Sequence, residues 1–408
     1  MLTLTGANSY SGGTTLTGGT LAITQAAALG TGGLNFGGGA LRVINSGTLN
    51  NLIRMVPGTT GSRISAATGQ TVQLNGLIDI LGASSLRFGS ATDTGTIVWN
   101  IGGGGYSATD FQMFVDGGTL RAGNGNLAQL IGDSVGVSRF TLASNATFDL
   151  NGFNATFRDL QGAGTLTNTA TTTLAGGNFS GTIAGNGHVV RISGAVTLSG
   201  NNSYNNRTEI LAGGALTAAS NGALGASGPT AFTTVASGGA LNLQGGITVN
   251  DDLQLAGTGI ANGGALRNVS GNNSVTGLIT LGSDSSIVSA AGQLDMGSLN
   301  GGGNALTVNG PGAMVFTGTL SNLSSLTKDG GGILALFGTS SFTGPTIVNS
   351  GSIQLSSGNA LPDMGALTLN GFGQIQLTNS ETIGSLAGNG EVLFDAAGMT
   401  LTMGGNNS

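Results

Sequence analysis

Three stretches of this sequence repeat one pattern of short alternating segments broken by glycine-rich turns. They lie near residues 2–43, 196–243 and 333–377. In each stretch an aromatic residue follows the opening segment at the same place, and these residues are Tyr10, Tyr204 and Phe342. They are 194 and 138 residues apart, so the stretches are copies of one module with filler of variable length between them.

The apolar residues alternate at a period of two, as in Leu2-Thr-Leu4, which is typical of β-strands with one buried face. Closely spaced short strands also occur in β-sandwiches, but sandwich strands do not recur as one phrase. A solenoid explains the recurrence, because each coil contacts only its neighbours. We therefore predict an all-β fold, with one continuous parallel β-solenoid over residues 1–408. Coils of roughly 20 to 25 residues give about 16 to 20 coils.

Two shorter phrases recur around the modules. Residues 157–166 match residues 383–392. A lead-in phrase at residues 179–189 returns in two pieces, at residues 316–320 and 326–333, before the third module. Helical periodicity is almost absent, and only one short helix is expected, near residues 128–131 between two glycines.

The composition excludes several classes of protein. Glycine accounts for 79 of 408 residues and charged residues for 7%, but a disordered chain is not expected, because 39% of residues are hydrophobic and mean hydropathy is +0.24. The net charge of −6, without a basic patch, predicts no nucleic-acid partner. There is no cysteine, no apolar run long enough for a transmembrane helix, and no signal-peptide pattern at residues 1–5.

The first module opens with LTLTGANSYSGGTTLTGGTLAI (residues 2–23), which resembles the autotransporter-associated β-strand repeat, also called the passenger-associated transport repeat. The second copy departs from the family phrase at residues 205–207, and the third has Phe342 in place of tyrosine. The resemblance implies a right-handed parallel β-helix in a type V secretion passenger on the bacterial surface. Such passengers are usually followed by an outer-membrane translocator barrel, which is not expected in this chain.

Both ends of the chain resemble interior points of a repeat array, and neither shows a polar cap. We therefore expect the terminal coils to continue into flanking repeats or to stack on other copies of the chain.

Two residues fit catalytic patterns, but we predict a structural role for both. His188 is the only histidine and the chain has no cysteine, so no second His or Cys completes a metal site or a Cys–His pair, and we expect a polar residue at a coil corner. Ser134 fits the G-x-S-x-G pattern at residues 132–136, but that pattern needs a strand-to-helix turn in an α/β sheet. No catalytic residue, metal site or cofactor is predicted.

Parallel β-helices also include polysaccharide lyases and hydrolases, which need clustered carboxylates and a cationic side chain. The candidate carboxylates are expected to be exposed corner residues. The alternative is an enzymatic site, in which Asp110 and Asp116 would lie on neighbouring coils. These candidates are Asp251 and Asp252, and Asp93, Asp110 and Asp116 near Arg121.

The densest aromatic cluster in the sequence comprises Trp99, Tyr106, Phe111 and Phe114. It is a candidate platform for a sugar or a protein, and the alternative is core packing and stacking between coils.

These observations predict a non-enzymatic structural or adhesive spacer, or fibre segment, of an autotransporter-like passenger. Its location would be extracellular or on the outer-membrane surface, and membrane contact would come only through a translocator barrel. Its partners would be flanking repeats or other copies at the open ends, and host or cell-surface glycans or proteins. The alternatives are a subunit of a filament that polymerises end to end and a β-helix polysaccharide lyase or hydrolase.

Overall fold

A computed structural model describes residues 1–80, 82–102, 110–132, 137–228 and 230–404. Two compact units divide the chain, one comprising Met1–Arg191 with Ser199–Asn205 and the other Ile192–Leu198 with Asn206–Ser408. Each unit is a parallel β-solenoid, and about 19 coils are present in the two together, within the predicted number. The right-handed winding and the single continuous solenoid stay predictions.

Most strands of the first unit are short, because a glycine-rich turn ends nearly every alternating segment. They are β1 (Leu2–Leu4), β2 (Thr14–Leu16), β3 (Thr20–Ile23), β4 (Leu34–Phe36), β5 (Ala40–Val43), β6 (Gly47–Leu49), β7 (Ile53–Met55), β8 (Ser62–Ala66), β9 (Thr71–Leu74), β10 (Ile78–Ile80), β11 (Ser84–Phe88), β12 (Thr96–Trp99), β13 (Phe111–Val115), β14 (Gly118–Ala122), β15 (Val137–Leu142), β16 (Ala146–Asp149), β17 (Ala155–Phe157), β18 (Leu160–Gly162), β19 (Thr165–Thr167), β20 (Thr171–Phe179) and β21 (Thr182–Ala184).

Strand β22 (Val189–Leu198) has its first three residues in the first unit and the rest in the second. The other strands of the second unit are β23 (Thr208–Ile210), β24 (Ala215–Ala218), β25 (Phe232–Val235), β26 (Ala240–Gln244), β27 (Thr248–Val249), β28 (Asp252–Gly257), β29 (Leu266–Ser270), β30 (Asn273–Val275), β31 (Ile279–Ser289), β32 (Gln293–Met296), β33 (Leu299–Asn300), β34 (Ala305–Asn309), β35 (Ala313–Phe316), β36 (Leu320–Ser321), β37 (Ser325–Lys328), β38 (Ile333–Leu336), β39 (Ser340–Ser341), β40 (Thr346–Leu355), β41 (Ala366–Leu377), β42 (Glu381–Ile383), β43 (Ser385–Gly388), β44 (Glu391–Phe394) and β45 (Leu401–Met403).

Helical structure is scarce among the described residues, as predicted. One α-helix, α1 (Gly125–Gly132), lies where the short helix was expected. Two 3₁₀ turns occur at Ala26–Leu29 and Ile260–Asn262.

The strands of each unit form three stacked columns in which neighbours pair in parallel. In the first unit the columns begin β1–β3–β5–β8, β2–β4–β7–β10 and β6–β9–β12–β14. In the second unit, long strands bend and contribute to two columns: Ala366–Leu369 of β41 pairs with β43, and Gln374–Leu377 of the same strand pairs with β44. The register gives the coil length, which varies from 17 residues (Leu160 to Gly177) to 28 (Leu120 to Phe148).

The three modules have the same strand register. In each module the opening strand pairs with a strand one coil later, which pairs with a third strand in the following coil. The paired residues are, module by module, Leu2, Leu21 and Leu41; Val196, Leu216 and Leu241; and Leu334, Ile353 and Ile375.

The shorter phrase that recurs at residues 157–166 and 383–392 also forms one structure twice. Ala163 and Gly164 both donate backbone N–H hydrogen bonds to the carbonyl of Leu142. Asn389 and Gly390 donate in the same way to the carbonyl of Leu369. The recurring phrase therefore forms the same turn in both units.

The core of each unit lies inside its coils, where alternate side chains of every strand point. In the first unit the interior includes a group of three phenylalanines on successive strands, Phe140, Phe148 and Phe157, with ring centroids 4.6 to 6.1 Å apart. These residues are buried, so aromatic stacking along the coils serves packing here.

Candidate functional site

The aromatic residues at the repeat-signature position each lie six residues after the end of the module's opening strand. Tyr204 and Phe342 are buried, and Tyr10 is 38% exposed. The Tyr10 hydroxyl lies 2.7 Å from Thr14 Oγ1. The signature position is therefore a packing position at a coil corner in the second and third modules.

A buried Ala-Leu pair in the next coil is a second recurring element of the modules. The pairs are Ala28-Leu29, Ala223-Leu224 and Ala360-Leu361. Polar side chains of the preceding coil hold two of these corners: Asn8 Nδ2 donates to the Ala28 carbonyl at 2.8 Å, and Ser340 Oγ donates to the Ala360 carbonyl at 2.6 Å.

Glycine is required where each lead-in phrase meets the module that follows it. A Cβ atom added at Gly200 would lie 1.8 Å from the carbonyl oxygen of Gly181, and one at Gly338 would lie 1.9 Å from that of Gly318. Gly181 and Gly318 belong to the two copies of the lead-in phrase, so the lead-in coil packs directly against the opening of the module.

The predicted aromatic cluster is divided between the interior and the outer surface of the first unit. Trp99 and Phe111 are buried, and Trp99 packs edge-to-face against Phe88 with ring centroids 5.7 Å apart. Phe114 points outward, and the Arg87 guanidinium lies 4.1 Å from the centre of its ring. Tyr106 lies outside the described residues, and the binding platform stays a prediction.

The carboxylates proposed for an enzymatic site are engaged by arginines or by neighbouring polar groups. Asp116 is bridged by Arg63 and Arg87, each at 2.8 Å, and Asp93 by Arg42 at 2.8 Å. Arg121 does not pair with either of them and contacts Asp149 at 3.2 Å.

Asp110 and Asp116 flank the two ends of strand β13, so they lie on one coil and not on neighbouring coils. The Asp110 carboxylate accepts a hydrogen bond from Ser138 Oγ at 2.6 Å. Ser134, the other catalytic candidate of this region, lies outside the described residues.

His188 is fully buried, which differs from the expected corner position. Its Nδ1 lies 3.2 Å from the Ala184 carbonyl, so this nitrogen carries the proton, and Thr172 Oγ1 donates to Nε2 at 2.8 Å. Burial lowers the pKa of His188 to about 4, although the hydrogen bond to Ala184 raises it. The His188–Thr172 pair has the geometry of a base with a hydroxyl nucleophile, but both residues are fully buried in the coil interior.

The adjacent carboxylates Asp251 and Asp252 have different environments. Asp251 is buried and accepts a hydrogen bond from Thr233 Oγ1 at 3.1 Å, whereas Asp252 accepts one from the backbone N–H of Leu278 at 2.8 Å. Burial raises the pKa of Asp251 to about 6. The two carboxylates thus accept hydrogen bonds from different parts of the coil.

Two buried charged residues were not identified from the sequence. Lys328, the only lysine, donates from Nζ to the carbonyls of Asp329, Gly330 and Ser350 at 2.9, 2.7 and 3.3 Å. Burial lowers the pKa of Lys328 to about 8. A lone lysine in a charge-poor chain was the available signal.

Glu381 is the second of these residues, and it supports the Ala-Leu corner of the third module. Its carboxylate accepts hydrogen bonds from the backbone N–H groups of Ala360 at 3.1 Å and Leu361 at 3.3 Å. In the first and second modules the equivalent alanines, Ala28 and Ala223, donate instead to a backbone carbonyl three residues earlier. Glu381 therefore replaces a local turn hydrogen bond.

Several open grooves lie on the surface of the described residues, and two of them run over the outward faces of the strands. The groove of the first unit, about 470 Å³, is lined by Ser85, Arg87, Gln112 and Phe114 among others. The groove of the second unit, about 560 Å³, crosses strands β35 and β38 and is mainly apolar. Within the described ranges, no cluster of three His, Asp or Glu side chains is placed to hold a metal ion, and no helix is long and apolar enough to span a membrane.

Comparison with known proteins supports the repeat assignment. No curated protein and no solved structure matches the chain. The family model described as passenger-associated-transport-repeat matches at residues 1–23, 193–218 and 326–355. These matches contain the opening strand and the aromatic position of all three modules. The chain thus carries three passenger-associated transport repeats of the kind found in autotransporter passengers.

Proposed function

We propose that this chain is a structural and adhesive segment of an autotransporter-like passenger at the bacterial surface. As a spacer, it would present binding surfaces away from the cell, and its location would be extracellular or on the outer-membrane surface. The repeat family supports this location, because it is a family of secreted, surface-exposed passengers.

The observation that carries the proposal is the shared register of the three modules. Each repeat builds the same stacked strands and the same buried Ala-Leu pair, and the second and third repeats share the glycine contact with the lead-in coil. Such an array is stabilised by contacts between neighbouring coils, without a disulfide and with few charged residues. A spacer needs this locally stabilised construction more than it needs a reactive centre.

The proposal assigns no catalysis to the chain. Of the carboxylates considered for a polysaccharide lyase or hydrolase, Asp93 and Asp116 are held by arginines. The only histidine, His188, lies in the coil interior. These placements support structural roles for the residues with the strongest catalytic patterns.

Surface display tests the proposal. The chain is placed between an epitope tag and an autotransporter translocator domain, and antibody binding to intact cells and adhesion to host cells are measured. We expect the tag to be accessible and adhesion to fall when residues 1–408 are deleted from the fusion. A tag that stays inaccessible, or adhesion that is unchanged by the deletion, contradicts the proposal.

A further inference from the structure

The third module departs from the other two at its outward-facing positions. Its opening segment is Ile333-Leu-Ala-Leu-Phe337, in which Phe337 stands where the first module has Thr5 and the second has Ser199. Phe337 is 53% exposed and Ile333 is 45% exposed. Inward-facing Leu334 and Leu336 are buried, like Val196 and Leu198 of the second module, so the change from hydroxyl to apolar residues at positions 335 and 337 lies on the outer surface.

The preceding coil extends this apolar surface. Ala313 and Val315 of strand β35 face outward next to Ile333 and Ala335, because Val315 pairs with Ala335 in the parallel register. Together with Phe337 they form the floor of the 560 Å³ groove. This volume is in the range of small-ligand sites, which is about 300 to 1,000 Å³. We call this surface the β35–β38 groove.

The rim of the β35–β38 groove is polar and carries one acidic side chain. Gln293 and Asp295 line one edge, where Gln293 Nε2 donates to Asp295 Oδ1 at 2.6 Å, and Gln354 lines the other. Amide groups both donate and accept hydrogen bonds, and a carboxylate accepts them, which suits ligand hydroxyl groups. No arginine or lysine is among the described residues that line the groove.

The charge of the second unit discriminates among ligands with hydroxyl groups. This unit contains ten acidic and three basic residues, and one of the basic residues, Lys328, is buried. A ligand with carboxylate or sulfate groups would meet like charge at Asp295 and across the unit. A neutral ligand would meet no such penalty.

We infer that the β35–β38 groove binds a neutral oligosaccharide, with sugar rings on Phe337 and Ile333 and hydroxyl groups on the glutamine and aspartate rim. Sugar rings have apolar C–H faces and polar edges, which match an apolar floor with an amide rim. This inference names the ligand class for the adhesive part of the proposed function and rests on it. The spacer role is independent of the groove.

Isothermal titration calorimetry of the full chain tests the inference. The neutral probes are the hexasaccharides of β-1,4-glucose, α-1,4-glucose and N-acetylglucosamine, and the acidic probe is hexagalacturonate. We expect at least one neutral probe to bind and hexagalacturonate to bind at least tenfold more weakly. The substitution Phe337→Thr should weaken neutral binding about tenfold, which corresponds to about 1.4 kcal/mol for a lost aromatic contact.

Two variants serve as controls. Threonine is compatible with the fold at position 337 because Thr5 stands at the equivalent position, and circular dichroism checks this. Phe372→Ser removes another aromatic side chain of the second unit, which is 88% exposed, and should leave binding unchanged. Asp295→Asn should leave neutral binding intact and strengthen binding of hexagalacturonate.

Several outcomes overturn the inference. Absence of binding by all neutral probes, equal binding by Phe337→Thr, or preferred binding of hexagalacturonate would each do so. Self-association in sedimentation that Phe337→Thr abolishes would assign the groove to a second copy of the chain instead. None of these results changes tag accessibility in the display assay. Failure of the inferred oligosaccharide binding is therefore distinguishable from failure of the spacer role.

Discussion

Replacement of Glu381 by glutamine should remove a pH-dependent loss of stability from the second unit. Glu381 is buried, with only 2% of the residue exposed. Burial raises its pKa to about 7, as does the nearby Asp363 carboxylate to a smaller extent, whereas the N–H groups of Ala360 and Leu361 lower it. Glu381 therefore binds its proton more tightly in the folded chain than in the unfolded chain.

The sign and size of the effect follow from this difference. Because the folded pKa is raised, the stabilisation is complete below pH 4.5 and is lost as pH rises through about 7. The rise from the ordinary 4.5 to about 7 corresponds to about 3 kcal/mol of unfolding free energy, since a tenfold change in proton affinity is about 1.4 kcal/mol.

Glutamine resembles the protonated acid, so Glu381→Gln should not have this pH dependence. It leaves one backbone N–H of the corner without its acceptor, which costs about 1 to 3 kcal/mol at every pH. The informative quantity is therefore the difference in unfolding free energy between the variant and the native chain. This difference should shift by about 3 kcal/mol in favour of the variant between pH 4 and pH 8.

Urea unfolding of both proteins at several pH values measures this difference, and hydrogen exchange of residues 357–364 locates it. The same substitution at the exposed Glu391 controls for the change of side chain. A difference between Glu381→Gln and the native chain that stays constant from pH 4 to pH 8 would refute the reasoning.

Three further predictions concern the other structural features. Burial lowers the pKa of His188 to about 4, so the neutral side chain should stabilise the first unit above pH 6.5. This stabilisation of about 3 kcal/mol should be lost as pH falls through 4. Urea unfolding should show a smaller loss of stability at low pH in His188→Gln. In thermal unfolding, Gly338→Ala should destabilise the second unit by more than about 2 kcal/mol, because the added Cβ would lie 1.9 Å from the Gly318 carbonyl oxygen. The control is Gly6→Ala, which has open space at the equivalent position and should change the stability of the first unit by less than about 0.5 kcal/mol. The spacer proposal predicts separate particles in negative-stain electron microscopy at every protein concentration, and filaments that lengthen with concentration would support end-to-end association of copies instead.

The solenoid and its modules could be predicted because each coil repeats the same local pattern of inward and outward side chains. The period-two alternation determines which side chains enter the coil, and the recurrence of phrases determines which coils are equivalent. The shared registers of Leu2, Val196 and Leu334 follow directly from these two patterns. Coil length was less predictable, because turns of different length are compatible with the same strand pairing.

The candidate site was less predictable, because proximity in sequence does not determine which face of a strand a side chain occupies. Phe111 and Phe114 are close in sequence, but they are three positions apart on one strand and therefore face opposite sides of it. The alternation of residues 111–115 contained this information. The burial of Lys328 and Glu381 was not readable in this way, because it depends on which backbone carbonyls and N–H groups converge between coils.

Differences among copies of a repeat indicate function better than the shared residues do. An inward position is constrained by packing, so Leu336 matches Leu4 and Leu198 whatever the chain binds. An outward position is constrained mainly by solubility, and Thr5 meets that constraint. A phenylalanine that is 53% exposed in its place adds apolar surface to water without filling the core. Phe337 is therefore explained by a ligand on the outer surface, and the comparison of Phe337→Thr with Phe372→Ser tests that explanation against mere exposure of an aromatic ring.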